Sequence, residues 1–223
     1  MGNNNLFKNT DVVVFDLCGT IYDSNTTFDF LDFHFRNNQS YLRYRKISKL
    51  FATRATNKLS TRVFNYDFIR KWGVSFFRGI PKAELLVSFH EFYAQILSAK
   101  EIQVTKMLLE QAKRANARIV LMSASLDIIV DELAKTLDIK ERYATQLTVA
   151  NDRYTGQIAG DLLGTKHRLI KLLNAGANKV IFISDNLSDA NVIRHVDEFY
   201  AVSPAKNLDF WKRIKGVTRI YEV

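Results

Sequence analysis

Three uninterrupted apolar runs, each ending in acidic or hydroxyl residues, limit the fold of this chain more than any other feature. "VVVF" (Val12–Phe15) runs into Asp16, "RIVLM" (118–122) into "SAS", and "KVIFI" (179–183) into "SDNLSD". Strands without polar alternation are covered on both faces, as in a parallel sheet flanked by helices. Helical patterns at 104–116 and 126–137, and in "KHRLIKLLNAG" with Gly176 as its closing glycine, fall between them. Residues 143–149 and 154–158, separated by "ANDR", predict a hairpin, and "EFYAVS" and "VTRIYEV" two last strands. The alternation predicts an α/β fold with a doubly wound, Rossmann-like parallel sheet. Residues 27–97 carry no strand signal. We therefore expect a core of residues 1–23 and 99–223 with an all-α domain inserted at 24–98.

Charge is concentrated in that insertion. Residues 24–98 hold twelve Lys and Arg against five Asp and Glu, or +7 of the formal +9 of the 223-residue chain. Residues 33–66 contain no acid, and Tyr41, Tyr44, Ile47, Leu50 and Phe51 recur at helical spacing, which reads as a basic amphipathic helix. Three meanings stay open for it: a solvated face, a lid for an anionic substrate, or a contact with an anionic membrane surface. Nucleic acid is disfavoured because no binding module accompanies the charge. No stretch is long and apolar enough for a membrane span, no signal peptide is evident, and the single cysteine suits a reducing compartment, so a cytoplasmic location is expected.

A lone Asp after a strand is ordinarily a turn or cap residue. In a parallel sheet, however, three polar strand ends converge on one edge, where ligands bind. Asp16, Asp185 and Asp189 would repel one another there unless they shared a cation, and hard oxygen ligands on loops suit Mg²⁺. The four histidines are scattered without metal-ligand spacing.

"DLCGT", "SAS", Lys166 and "SDNLSD", in this order on alternating elements, resemble the four motifs of the haloacid dehalogenase-like hydrolases. The helical insertion after the first motif resembles the cap of the phosphoserine-phosphatase-like branch. The resemblance implies a Mg²⁺-dependent phosphohydrolase or phosphotransferase acting on a small phosphorylated substrate. Asp16 would be the nucleophile that becomes an aspartyl phosphate. Ser123 and the main-chain N–H of Ala124, with Thr20 and Ser188 nearby, would hold phosphate. Lys166 would neutralise charge, and Mg²⁺ would sit on Asp16, Asp185 and the Cys18 carbonyl, with Asp189 steadying the metal site.

Cys18 departs from the pattern. Family phosphatases usually carry there a second aspartate, which protonates the leaving group and then activates water. Losing it removes a contribution on the order of 10²–10⁴ in rate. The thiol can donate a proton but is a poor base for water. The alternatives are a leaving group or acceptor that needs no such base, a catalytically silent phosphate- or lipid-headgroup-binding protein, or a small residue that merely packs behind the loop. Ser125 is expected either to touch phosphate or to be the N-cap of the following helix, and Trp72 and Trp211 to be packing residues.

Overall fold

The computed structural model describes residues 6–64 and 66–223. Strand β1 (Val12–Phe15) is buried along its whole length and pairs in parallel with β2 (Arg118–Leu126) on one side and β5 (Val180–Ser184) on the other. With β3 (Glu141–Ala150), β4 (Arg153–Gly160), β6 (Glu198–Ser203) and β7 (Val217–Glu222), the sheet order is β4-β3-β2-β1-β5-β6-β7. Only β4 runs antiparallel, returning from β3 through Asn151 and Asp152, both at positive φ, as a two-residue hairpin turn requires. The chain winds outward from β1 through β2 and β3, then returns to β5 on the far side of β1. The reversal between β1 and β5 opens a crevice at their carboxyl ends.

Alternation along β1 sends Val13 and Phe15 into one core cluster and Val12 and Val14 into another. The second face is covered by α8 (Lys166–Asn174) and α9 (Leu208–Arg213), through Ile170, Leu173 and the fully buried Trp211. The first is covered by α6 (Gln103–Arg114) and α7 (Asp127–Thr136) and by the α-helices between β1 and α6. Those are α1 (Thr26–His34), α2 (Gln39–Ser48), α3 (Phe51–Phe64), α4 (Phe68–Ser75) and α5 (Lys82–Phe92). Phe30, Phe33, Phe35, Tyr41, Tyr44, Phe77, Phe89 and Phe92 pack in one cluster with Leu121, Leu126 and Ile129 of the core. Helix α3 contributes no buried residue to it. Among the described residues no helix is long and apolar enough to cross a membrane.

Several local expectations change. The acid-free stretch forms two helices, broken at Lys49 and Leu50, and its apolar stripe divides: Tyr41 and Tyr44 are buried, whereas Ile47, Leu50 and Phe51 are exposed. Strand β2 runs through "SAS" to Leu126 with a register shift against β3, so Ser125 is a strand residue and the N-cap of α7 is Leu126. Helix α8 ends at Asn174 with its cap at Ala175, so Gly176 follows the cap as expected but is not at the positive φ of a closing glycine. Trp72 is 41% exposed and lies against Tyr44, with 4.9 Å between ring centroids.

Candidate active site

Asp16 is the first residue beyond β1. Its N–H donates to the Ile183 carbonyl of the neighbouring strand at 2.9 Å, which continues the parallel ladder and sets the side chain at the switch point. The carboxylate is buried; the Leu17 N–H donates to its Oδ1 at 2.7 Å. Lys166, the first residue of α8, brings Nζ to 2.8 Å from Asp16 Oδ2 and 2.8 Å from Asp189 Oδ2. Ser184, the last residue of β5, places Oγ 2.8 Å from Asp189 Oδ2 and 3.3 Å from Asp16 Oδ2. Burial alone would lower the Lys166 pKa, but the attraction of Asp16 and Asp189 outweighs it and the ammonium is held above its usual range. Asp189 is raised, its burial and the Asp16 charge outweighing the pull of Lys166.

The other flank of Asp16 carries no such partner for Asp185. Thr20 Oγ1 donates to Asp185 Oδ1 and accepts the Asp185 N–H, each at 2.9 Å. Gly19, at φ +67°, brings its backbone against the same carboxylate: a Cβ there would meet Asp185 Oδ2 at 2.1 Å. Burial, and then repulsion by Asp16, push Asp185 up to about 7. Cys18 Sγ lies 3.1 Å from Thr26 Oγ1, and burial together with Asp16 pushes the thiol up to about 11. A cavity of about 620 Å³, lined in part by Cys18, Gly19, Asp23, Asp29 and Asp185, opens beside these groups.

The three acids expected to share one cation divide into two kinds. Asp189 is engaged by Lys166 and Ser184, and among the described residues no group of three or more His, Cys, Asp or Glu side chains is arranged to hold a metal ion. Asp16 shares those two partners but also faces Asp185, so the groups available to a cation are the Asp16 and Asp185 carboxylates and, as the resemblance implies, the main-chain carbonyl of Cys18. This all-oxygen set fits Mg²⁺. Burial first and the Asp16 charge second disfavour the ionised Asp185, against the smaller pull of Thr20 and Lys166.

At the end of β2, Ser123 is buried and its Oγ accepts the Ser125 N–H at 3.2 Å. Ser125 Oγ lies 2.6 Å from Thr26 Oγ1 and 3.2 Å from Thr27 Oγ1, joining the strand to the start of α1. The Ala124 carbonyl accepts from Arg70 Nη1 of α4 at 2.9 Å and from Thr145 Oγ1 at 3.0 Å, and Arg70 also pairs with Asp161. Ser188 is exposed and bonded to Asn186 Oδ1 at 2.9 Å. Sequence reasoning had no place for Ser184 as a bridge, nor for Arg70 and Asp161. Ser184 stands in the quoted motif and was legible as a strand-end hydroxyl, whereas Arg70 is one of twelve cations in its segment.

The sequence profile of the haloacid dehalogenase-like hydrolases matches residues 13–194. The chain belongs to this family. No match is found among curated proteins. Among solved structures, a Bordetella pertussis Tohama I protein of unknown function matches with a TM-score of 0.73 at 18% identity, over 95% of this chain and 98% of that one. A phospho-aspartyl intermediate analogue of phosphoserine phosphatase matches at 0.65 and 14%, over 96% and 94%. A cytosolic 5′-nucleotidase IIIB bound to cytidine matches at 0.63 and 12%, over 98% and 82%. These likenesses show that this haloacid dehalogenase-like hydrolase shares its fold with phosphatases of the family.

Proposed function

We propose that this chain is a Mg²⁺-dependent phosphohydrolase that cleaves a small phosphate monoester, or passes its phosphoryl group to another acceptor, through a covalent phosphate on Asp16. The observation that carries the reading is the buried Lys166 ammonium 2.8 Å from Asp16. A carboxylate attacks an anionic phosphorus only where fixed positive charge offsets the repulsion. Phosphatase and nucleotidase fold neighbours support a small phosphorylated substrate.

In this reading an Asp16 oxygen forms a bond to phosphorus while the ester P–O bond breaks, its electron pair leaving on the alcohol oxygen. Water then attacks the aspartyl phosphate, releasing phosphate and restoring the carboxylate. Lys166 keeps its proton and offsets charge, and Asp189 and Ser184 hold it in place. Ser123 and the Ala124 N–H orient the phosphoryl oxygens, with Ser188 at the rim. Thr20, engaged by Asp185, positions that carboxylate rather than phosphate. When bound by Asp16, Asp185 and the Cys18 carbonyl, Mg²⁺ supplies the further positive charge that an acid-lined cavity needs to accept a phosphate. Residues 24–98 act as a cap, with Arg70 and Thr26 reaching the end of β2.

Cys18 favours a second reading. A thiol whose pKa is pushed up to about 11 rests protonated at neutral pH, so it is a weaker proton donor to a leaving oxygen than a carboxyl group and is no base for water unless it has first given that proton up. A silent phosphate- or headgroup-binding protein on the same scaffold follows if the second step stalls. Phosphate release from a panel of small monoesters, with Mg²⁺ or with EDTA, decides between the two. The enzyme reading expects Mg²⁺-dependent turnover that falls on the order of 10⁴-fold in Asp16→Asn. Turnover that persists in Asp16→Asn or in EDTA overturns it, and turnover seen only in Cys18→Asp supports the silent protein.

A further inference from the structure

Helix α3 is seated with its polar side inward. Thr53, Asn57, Ser60 and Thr61 are half-buried, whereas Phe51, Ala55, Leu59 and Val63, spaced by four, are exposed. That spacing lays one apolar row along the outside of the helix, with Phe51 88%, Leu59 62% and Val63 59% exposed. A helix that packs on a globular core shows the reverse arrangement. Beside this row runs a second one, also spaced by four and also exposed: Arg54, Lys58 and Arg62. Its members border a cavity of about 670 Å³, to which α2 adds Arg45 and the next residue, Lys49, completes the basic lining. Among the described residues the one acid on that lining is Asp67, which accepts hydrogen bonds from the Arg70 N–H and from Asn57 Nδ2. Neither α2 nor α3 contains an Asp or Glu.

We infer that α3 is the face on which this protein docks to an anionic phospholipid surface. The apolar row enters the acyl boundary while Arg54, Lys58 and Arg62 meet headgroup phosphates, the two-signal arrangement that interfacial helices use. Charge selects this occupant over the others. A second copy of the chain would bring its own acid-free, basic α2–α3 surface against this one. Nucleic acid would engage the basic row and leave the aliphatic Leu59 and Val63 facing phosphates. The inference stands on the surface of the helical segment and is independent of whether Asp16 turns over a substrate.

Co-sedimentation of the full chain with phosphatidylcholine vesicles, with and without phosphatidylglycerol, tests it. Binding is expected only to the vesicles that contain phosphatidylglycerol, and it should weaken as salt rises. Two exposed-site variants are expected to weaken it at least about tenfold each while circular dichroism and the melting temperature stay as in wild type: the pair Leu59→Asp and Val63→Asp, and the triple Arg54→Glu, Lys58→Glu and Arg62→Glu. Equal binding to phosphatidylcholine alone, no binding to either vesicle, or binding indifferent to both variants overturns the proposal. So does a dimer in light scattering that Leu59→Asp dissociates, which assigns the face to a second copy.

Discussion

The two flanks of Asp16 solve the same electrostatic problem in opposite ways. On one, Lys166 reaches between Asp16 and Asp189 at 2.8 Å from each, and Ser184 lies against both, so each carboxylate has an ammonium partner within the polypeptide, although Asp189 is still raised by burial and by Asp16. On the other, Asp185 is half-buried beside Asp16 and hydrogen-bonded to the Thr20 hydroxyl, and burial and Asp16, outweighing the pull of Lys166, move its pKa up to about 7. Both flanks come from the same strand pair, since β1 delivers Asp16 and β5 delivers Ser184 and Asp185. The Lys166 flank is part of the folded core. The Asp185 flank stores an unfavourable charge that a proton or a cation relieves, which is how a rigid fold prepares a place for something it does not itself contain.

Removing Lys166 attacks the self-contained flank and should have the largest effect on stability. Lys166→Met leaves two buried carboxylates facing each other without their cation, and breaking a buried pair in this way costs about 3–5 kcal/mol. For a chain of this size each kcal/mol lowers the melting temperature by about 2–4 °C. A thermal melt that moves by less than the smaller of these effects, with turnover intact, would show that the two flanks do not differ as described. Changing Cys18 acts on the other flank. Cys18→Asp adds an acid/base where the family usually has one, and turnover should rise about a hundredfold where the second step limits the rate. The same change crowds a further carboxylate beside Asp16 and Asp185, so without Mg²⁺ the variant should melt below wild type, and added Mg²⁺ should raise its melting temperature more than it raises that of wild type. Calorimetric scans with EDTA and with Mg²⁺ read this directly.

Much of the first flank's scaffold was legible in the sequence. Val12–Phe15 and Val180–Ser184 are apolar runs that only a sheet covered on both faces accommodates, and the "ANDR" turn announces its hairpin. What was hidden is which charges pair. Asp185 and Asp189 stand four residues apart in one motif, and composition cannot tell that one faces Gly19 while the other is taken by a lysine 23 residues upstream. Arg70 carries no local signal because its partners, the Ala124 carbonyl and Asp161, belong to distant segments. Helix α3 shows the same limit in another form. Its amphipathic period is plain in the sequence, yet period does not say which side meets the protein. The stripe through Tyr41, Tyr44, Ile47, Leu50 and Phe51 reads as one amphipathic helix and is cut by a break at Lys49 and Leu50, with Tyr41 and Tyr44 buried and Ile47, Leu50 and Phe51 exposed.

The smallest effect, and the one that discriminates most sharply between the flanks, is expected from Asp185→Asn, because its sign is opposite to that of Lys166→Met. Asp185 has a folded-state pKa of about 7 against an ordinary value of 3.8, so in metal-free protein the folded state binds a proton more readily than the unfolded one. By linkage, its contribution to stability falls as pH rises between these two values and is fully unfavourable above pH 7. An amide at this position keeps the Thr20 hydroxyl as a donor to its oxygen and removes the charge that Asp16 repels. In EDTA at pH 8 the Asn variant should therefore melt at or slightly above wild type, and the gap should narrow as pH falls below 7 and close near 3.8, where the carboxyl is neutral in the folded and the unfolded state alike. Addition of Mg²⁺ should reverse the order, since only wild type presents the second carboxylate to the ion, and binding below pH 7 should release a proton that calorimetry in buffers of different ionisation enthalpy can count. If Asp185→Asn instead melts well below wild type in EDTA at pH 8, Asp185 is a structural anchor like Lys166, and the distinction between a completed and an unanswered flank is lost.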